Sequence, residues 1–468
     1  MQLTPTFVSL LLEFRSAFTQ PSFVLFLFIL TGWVLTSRHR FITECIFTSG
    51  RVGHGHWSRF HRFFSHNRWS LDFLFLLLAK LLIRVFAPTG TILLAGDDTL
   101  CRKRGLNLYG AGMHHDPLIS SRALKLVSWG HDWVVLCFLI VLPRWARSKV
   151  FALTVGCRLY KNRQGLTKGQ SKNKRRSRSS HKGAKGPRKR SRKADPNHRT
   201  RPELLVELLK LFASWFPDRQ IVVTADSAYG GKSVLQQLPA NMHLISHVHP
   251  KGALYAPPPP PQPHQKGARR KKGERLPGMQ AWAADDSRPW RTLPFDQFGF
   301  HATVRVKVQQ ALYYTAGKDR LLTIVLVRDV LGKRPDQMFY CTLLEWKART
   351  ILSTYAHRWA IEVTFENSKQ LLGLEDPANR LPKAVQRTAP MALFLHSLVV
   401  LWFEKDGYQW LRFPERPWYP RKAEPSFADM LTALRRLSWL EKLQGLVGKD
   451  SPHNKDVEEL AELASRVG

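Results

Sequence analysis

The sequence predicts an α/β protein: a mixed sheet with helices around it, preceded by a helical N-terminal region. Three observations carry this. Apolar runs of strand length recur between residues 91 and 343, with helix-period segments among them. Residues 1–88 carry longer Phe/Leu/Trp-rich stretches, such as Leu71 to Leu78, at helical length. Two of the strand-like runs end in aspartates, and one helix-period segment near the C-terminus carries a glutamate.

The first region, residues 1–88, reads as a helical DNA-binding domain. Within it, His56 to Ser65 interleaves cations with aromatics, which suits either a nucleic-acid-binding helix or a core face with a basic rim. Thr91 to Gly96 is a short apolar run delivering Asp97-Asp98-Thr99 at its end. Lys125 to Trp129 and Trp133 to Leu142 read as two strands joined by a Gly130-His131-Asp132 turn. The stretch from Lys161 to Arg201 is dense in Lys and Arg and nearly free of apolar residues, so it is expected to be a disordered basic insertion (161–200). Thr200 and Glu203 form a capping-box pattern with Pro202 in the first turn, opening a helix from Glu203 to Phe216.

Gln220 to Asp226 is a second apolar run ending in a carboxylate, followed by Ser227-Ala-Tyr229-Gly, a short helix over 232–238 and a strand over 242–248. Residues 250 to about 292 are low in complexity, with a proline run from Pro257 to Pro261, and read as a linker. Strand patterns return at 302–308, 310–315, 321–328 and 339–343, giving a β-rich insertion over 250–345. A helix over 355–373, an apolar helix over 389–403 and an acidic tail complete the chain. The resulting division is 1–88, 89–249, 250–345, 346–405 and a C-terminal helical region at 406–468.

Composition narrows the partner. Lys+Arg 72 against Asp+Glu 35 gives a formal net charge of +37, which calls for a polyanion. The apolar run Ser22 to Thr36 falls short of the roughly 18–20 residues of a membrane span, and Gly32 interrupts it. Lys80 and Arg84 break the run from Phe73 to Phe86. No convincing secretory signal is present. Cys45, Cys101, Cys137, Cys157 and Cys341 have no paired spacing and read as reduced thiols in a cytosolic protein.

The chemistry concentrates in Tyr355-x2-Arg358-x3-Glu362-x6-Lys369. At about 100° per residue, these four side chains fall within roughly 60° of one another on a helix. Such a stripe can hold a metal ion through its carboxylate and phosphates through its cations; a solvated charged face is the plain alternative. Glu366, one turn on from Glu362, shares that face. Carboxylates without Cys or His partners favour hard cations such as Mg²⁺ or Mn²⁺. His114, His115 and Asp116 read as turn residues rather than metal ligands, and His131 as a turn residue. Trp282 and Trp290 are candidates for stacking on a base, with packing the more ordinary role.

The order of these elements resembles the ribonuclease-H-like fold, in which acids from two strands and a helix converge at one sheet edge. Asp97-Asp98-Thr99, Thr224-Ala-Asp226-Ser-Ala-Tyr229-Gly and the Tyr355/Arg358/Glu362/Lys369 motif are similar to the three motifs of bacterial insertion-sequence DDE transposases, over about residues 90–405. The resemblance implies a metal-dependent DNA endonuclease and strand transferase. It would bind terminal inverted repeats, act as a homodimer in its synaptic complex, and work in the bacterial cytoplasm at the nucleoid. It implies Asp97 (or Asp98), Asp226 and Glu362 as catalytic ligands of two Mg²⁺ or Mn²⁺ ions. The Asp-x-Thr form of the motif favours Asp97 over Asp98. Tyr355, Arg358 and Lys369 would meet DNA at the cut. Lys174, Arg175, Arg176, Arg188, Lys189 and Arg190 of the basic run would bind phosphates. Two rivals remain: a nuclease of the same fold without strand transfer, and an inactive DNA-binding relative.

Overall fold

The structure, a computed structural model, describes residues 3–37, 39–53, 55–121, 123–162, 198–260, 268–297, 300–413, 417, 420–447 and 453–466. Most of the basic run, including Lys174, Arg175, Arg176, Arg188, Lys189 and Arg190, lies outside the described residues.

Five helices come first: α1 (Pro5–Leu12), α2 (Gln20–Leu35), α3 (Ile42–Thr48), α4 (Ser58–Ser65) and α5 (Leu71–Phe86). The central elements are β1 (Ile92–Arg102), β2 (Gly112–His115), β3 (Val127–Val141), β4 (Val150–Tyr160), α6 (Arg201–Trp215), β5 (Ile221–Ala225), α7 (Lys232–Leu235) and β6 (Met242–His247). Next are α8 (Met279–Ala284), β7 (Arg291–Gln297), β8 (Phe300–Leu312), α9 (Tyr314–Gly317), β9 (Leu321–Asp329) and β10 (Gln337–Cys341). The chain continues through α10 (Ala348–Ala356), α11 (Ala360–Leu372), α12 (Pro382–Trp402), α13 (Phe427–Val447) and α14 (Asn454–Arg466).

Among the described residues, all ten strands join one mixed sheet, ordered β2-β3-β1-β5-β6-β10-β9-β8-β7, with β4 on β3. The segment β4-β3-β1-β5-β6 has three antiparallel strands followed by two parallel to the first. This is the ribonuclease-H-like arrangement. The β-rich insertion is not a separate sheet: β10 pairs antiparallel with β6, and β9, β8 and β7 extend the same ladder outward.

Three strand boundaries differ from the sequence expectation. β1 runs through the acid pair to Arg102, so Asp97 and Asp98 sit within a strand rather than at its end. The expected turn at Gly130-His131-Asp132 does not form, because β3 is continuous and pairs with β1 from Phe138 to Gly130. Cross-strand pairing on both sides outweighs the turn preference of those three residues, and His131 and Asp132 are buried. The two runs at 302–308 and 310–315 are a single strand, β8, held by β9 to Leu312. The capping box forms as expected: Glu203 N donates to Thr200 Oγ1 at 3.5 Å, and Thr200 N donates to Glu203 Oε2 at 2.7 Å.

The N-terminal helices share their core with the catalytic sheet. Phe394 of α12 marks the junction, with ring centroids 5.2 Å from Phe14, 6.3 Å from Phe26 and 6.0 Å from Phe75. Trp33 donates its indole N–H to Leu372 O at 2.8 Å, serving a carbonyl at the C-terminus of α11. Gly32 lets α2 meet α3, since a Cβ there would lie 2.0 Å from Cys45 O. On α4, Phe60, Phe63 and Phe64 are buried, which answers the aromatic half of the His56–Ser65 pattern by core packing. Residues 382–410 are long and apolar enough to cross a membrane by composition, but 89% of the apolar window is buried inside the protein. The five cysteines are free thiols and all buried.

His396 lies wholly inside this core, stacked on Phe427 at 4.2 Å, and burial pushes its pKa down to about 3. The folded protein holds this imidazole neutral, while the unfolded chain takes up a proton below its ordinary value near 6.5. Its contribution to stability is therefore present above about pH 6.5 and lost as pH falls toward 3. At pH 5 the loss should be about 2 kcal/mol, from 1.36 kcal/mol per pKa unit. His396→Leu should flatten the acid limb of a denaturant midpoint-versus-pH curve between pH 6.5 and 4. An unchanged slope would assign acid sensitivity to other groups.

Candidate active site

Parallel pairing of β1 and β5 ends at Gly96↔Ala225, so Asp97 follows within β1 and Asp226 stands just beyond the end of β5. Gly96 leaves room for α6, because a Cβ there would stand 2.7 Å from the Leu205 side chain and push it aside. Side chains alternate along a strand, so Asp98 shares the α6 side with Gly96 while Asp97 faces α11.

The predicted single helix from Tyr355 is interrupted. α10 ends at Ala356, a 3₁₀ turn spans His357–Trp359, and α11 starts at Ala360. The tighter turn carries Arg358 to the carboxylates. Its guanidinium makes an ion pair with Asp97 Oδ2 and lies 3.7 Å from Glu362 Oε1. Burial pushes the Asp97 carboxyl up to about 7; Arg358 opposes the shift, and Asp226 and Asp98 add to it. Burial also raises Glu362, with Arg358 opposing and Asp226 contributing. Asp97 and Glu362 therefore both feel the field of Asp226 and share one guanidinium. Glu366 is exposed and bonds Gln370 at 3.2 Å, away from this group.

Tyr355 packs its ring edge-on against Phe339 and His247, both at 4.9 Å, with the Arg358 guanidinium 5.7 Å from its centroid. Burial and Arg358 hold His247 down at about 4, a neutral imidazole beside the acids. Two hollows flank this tyrosine. One of about 410 Å³ is lined by Phe295, Phe339, Tyr355, Arg358 and Trp359. The other, about 320 Å³, reaches Asp226, His247 and Tyr355. A larger cleft, about 1060 Å³, contains none of the three acids, and its Arg158 is already paired with Asp72 and Glu207.

Lys369 turns inward, donating to Leu100 O at 2.8 Å, and so ties α11 to β1. Trp282 is fully buried, which removes it as a base-stacking candidate; the short helix α8 folds it into the core. Trp290 is covered by Lys307 and Arg328, at 4.9 and 4.3 Å from its ring. His114 is buried, His115 exposed, and Asp116 is held near pKa 2 by hydrogen bonds from Arg102, with Ser128 adding to them.

On the α6 side stands a network that sequence reasoning did not single out. Tyr229 donates to Asp98 Oδ1 at 2.6 Å. Arg201 lies 3.4 Å from Asp98, bonds Asp132 Oδ2 at 2.5 Å, and stacks over Tyr160 at 4.6 Å. Burial raises both Asp98 and Asp132, the latter to about 7. In sequence Arg201 reads only as the end of the basic run; its partners come from three distant strands and turns.

The profile of the DDE superfamily endonucleases matches residues 17–315, more than half of the chain. The chain belongs to this family. No curated protein matches it. The matched segment contains Asp97, Asp98 and Asp226 and stops before Glu362, so the case for Glu362 rests on its motif spacing and on the geometry above. DDE-type nucleases work on DNA and generally use divalent metal ions.

The three acids offer only oxygen donors, the set that suits Mg²⁺ or Mn²⁺. With side chains as they stand, no group of three or more His, Cys, Asp or Glu among the described residues is close enough to hold an ion. Arg358 is paired with Asp97, lies 3.7 Å from Glu362 and supplies positive charge of the kind an ion would bring. The donor chemistry thus fits a divalent ion, provided that the guanidinium moves aside.

The Arg201 network generates a stability test. Removing Arg201 leaves Asp132, 1% exposed, without its cation. Arg201→Ala should lower stability by about 3 kcal/mol, the order expected for orphaning a buried charge. Asp132→Asn in that background should restore part of the loss, read as a non-additive double-mutant cycle from urea melts. Additive effects would show that the two side chains are not coupled.

Proposed function

We propose that this chain is the transposase of an insertion sequence. It binds terminal inverted repeats, cuts DNA at the element ends and joins the 3′-hydroxyl ends to target DNA, with two copies forming the synaptic complex. The observation that carries the reading is the gathering of Asp97, Asp226 and Glu362 around Arg358 in a DDE-family chain of net charge +37.

In this reading Asp97, Asp226 and Glu362 hold two Mg²⁺ or Mn²⁺ ions. Bound ions would activate the attacking oxygen and neutralise charge on the leaving 3′-oxygen. The protein's own part is positioning and electrostatics. Arg358 is a counter-ion in the free protein, and its planar fork suits a phosphate once released from Asp97. Tyr355, wedged between Phe339 and His247, fixes the turn from which Arg358 projects. Lys369 holds β1 against α11, and its ammonium lies on the acid-bearing strand's side of that helix.

Glu362→Gln keeps shape and removes charge. Cleavage of end-bearing DNA in Mg²⁺ should drop by at least about a hundredfold with duplex affinity retained. Undiminished cleavage by the variant would refute the assignment. Joining of a labelled 3′-hydroxyl end to a plasmid by the wild-type protein separates a transposase from a nuclease that only cuts.

Deleting residues 165–195 removes a segment rich in Lys and Arg and poor in apolar side chains. Such a segment meets phosphates rather than base edges. The deletion should weaken binding to specific and random duplexes alike and flatten the salt dependence, whose slope is about −0.9 per phosphate neutralised. Titrations at several salt concentrations measure this. Loss of terminal-repeat preference alone, at an unchanged slope, would make the segment a sequence reader instead.

A further inference from the structure

We propose that Tyr229, Asp98 and Arg201 form a positioning strut that sets the spacing between Asp97 and Asp226. The inference rests on the reading of those two acids as metal ligands, and it gives Asp98 a role different from theirs.

The need for a strut follows from where the ladder ends. Backbone pairing between β1 and β5 stops at Gly96↔Ala225. Asp226 is the first residue beyond it, in a turn closed by Tyr229 N donating to Asp226 O at 3.1 Å. Ser246 donates to that same carbonyl at 2.8 Å, and Ala228 N donates to Asp226 Oδ1 at 2.8 Å. These bonds shape the turn and tether it to β6, but none of them reaches β1. The bond that does is Tyr229 O–H to Asp98 Oδ1, at 2.6 Å.

The geometry makes this bond stiff at both ends. Tyr229 is fully buried, so its ring has one position. Asp98 is held by the ladder with β3, opposite Val134, and is flanked by Arg201 at 3.4 Å. Arg201 is in turn anchored on Asp132 of β3 and over Tyr160 of β4. One carboxylate, adjacent to Asp97 but on the other face of β1, thereby ties three strands and the root of α6 to the Asp226 turn. Asp98 has its oxygens engaged by a phenol and a guanidinium, which suits a brace. Asp97 meets Arg358 and the field of Asp226, which suits a ligand.

The plainer role is a core tyrosine whose hydroxyl found a partner. The two roles differ in what Tyr229→Phe does, because the ring stays and only the tether goes. Binding of Mn²⁺ alone to the full-length protein is measured by titration calorimetry, beside thermal melting without metal and cleavage against Mg²⁺ concentration. Tyr229→Phe should weaken Mn²⁺ binding about tenfold, the order seen when a group orienting a ligand is lost. Its metal-free melting temperature should stay close to wild type, and high Mg²⁺ should restore cleavage. Asp98→Asn, a second variant of unchanged shape, should behave likewise and also be rescued. Asp97→Asn should lose both binding and cleavage beyond rescue. Wild-type Mn²⁺ affinity in Tyr229→Phe, with Asp97→Asn inactive, would overturn the strut and leave the active-site reading intact. Asp98→Asn as dead as Asp97→Asn would make Asp98 a ligand and also overturn it. Full Mn²⁺ binding and cleavage by Asp97→Asn would overturn the underlying reading itself.

Discussion

Parallel pairing of β1 with β5, from Ile92↔Ile221 to Gly96↔Ala225, is the constraint on which the rest of the candidate site depends. It places two aspartates from segments 129 positions apart, Asp97 and Asp226, at the point where the ladder between the two strands stops. α6 packs close to β1, and at Gly96 a Cβ would stand 2.7 Å from the Leu205 side chain, which would have to shift. β3 lies on the other side of β1, which keeps the acid pair inside a strand and away from bulk water. Gathering carboxylates in a half-buried place is unfavourable, as the raised values of Asp97, Asp98 and Glu362 record. Two cations offset that cost: Arg358 on the α11 side and Arg201 on the α6 side.

The two arginines have different surroundings and so different prospects. Arg201 is held by Asp132, Asp98 and the Tyr160 ring, a fully engaged set within the fold. Arg358 projects from a 3₁₀ turn between two helices, lines a hollow of about 410 Å³, and its Nε has no partner. A short break in a helix can shift a side chain with little disturbance to either flank. In the proposed reading, the charge on the α11 side is the one that a metal ion or a phosphate would replace, while that on the α6 side holds the fold.

The helix bearing Glu362 is fixed from behind by residues remote from any chemistry. Trp33 serves the carbonyl of Leu372, Thr364 bonds Ala152 O at 2.7 Å, and Lys369 reaches Leu100 O. The N-terminal helices and α12 therefore share one core with the sheet, with Phe394 at the junction. A change in those helices would reach the acids through packing, without contact to substrate.

Local chemistry decided much of the fold in advance. The apolar runs at 91–96, 220–226 and 242–248 form β1, β5 and β6 because their side chains must be buried on both faces. Thr200 and Glu203 start α6 because the cap is satisfied within four residues. The spacing Tyr355, Arg358, Glu362 likewise marked the segment that meets the aspartates. Tertiary pairing decided the rest. Gly130, His131 and Asp132 favour a turn by type, yet strands on both sides draw them into β3. Trp282 in a proline-rich, basic stretch looks exposed and is buried, since burial depends on what lies opposite. Asp97 and Asp98 are chemically identical neighbours, and only the strand's two faces give them different partners, Arg358 and Tyr229. The partners of Lys369 and Arg201 were not legible for the same reason: a hydrogen bond across 269 positions or an ion pair across 103 has no local signal, and only the folded chain brings its two ends together.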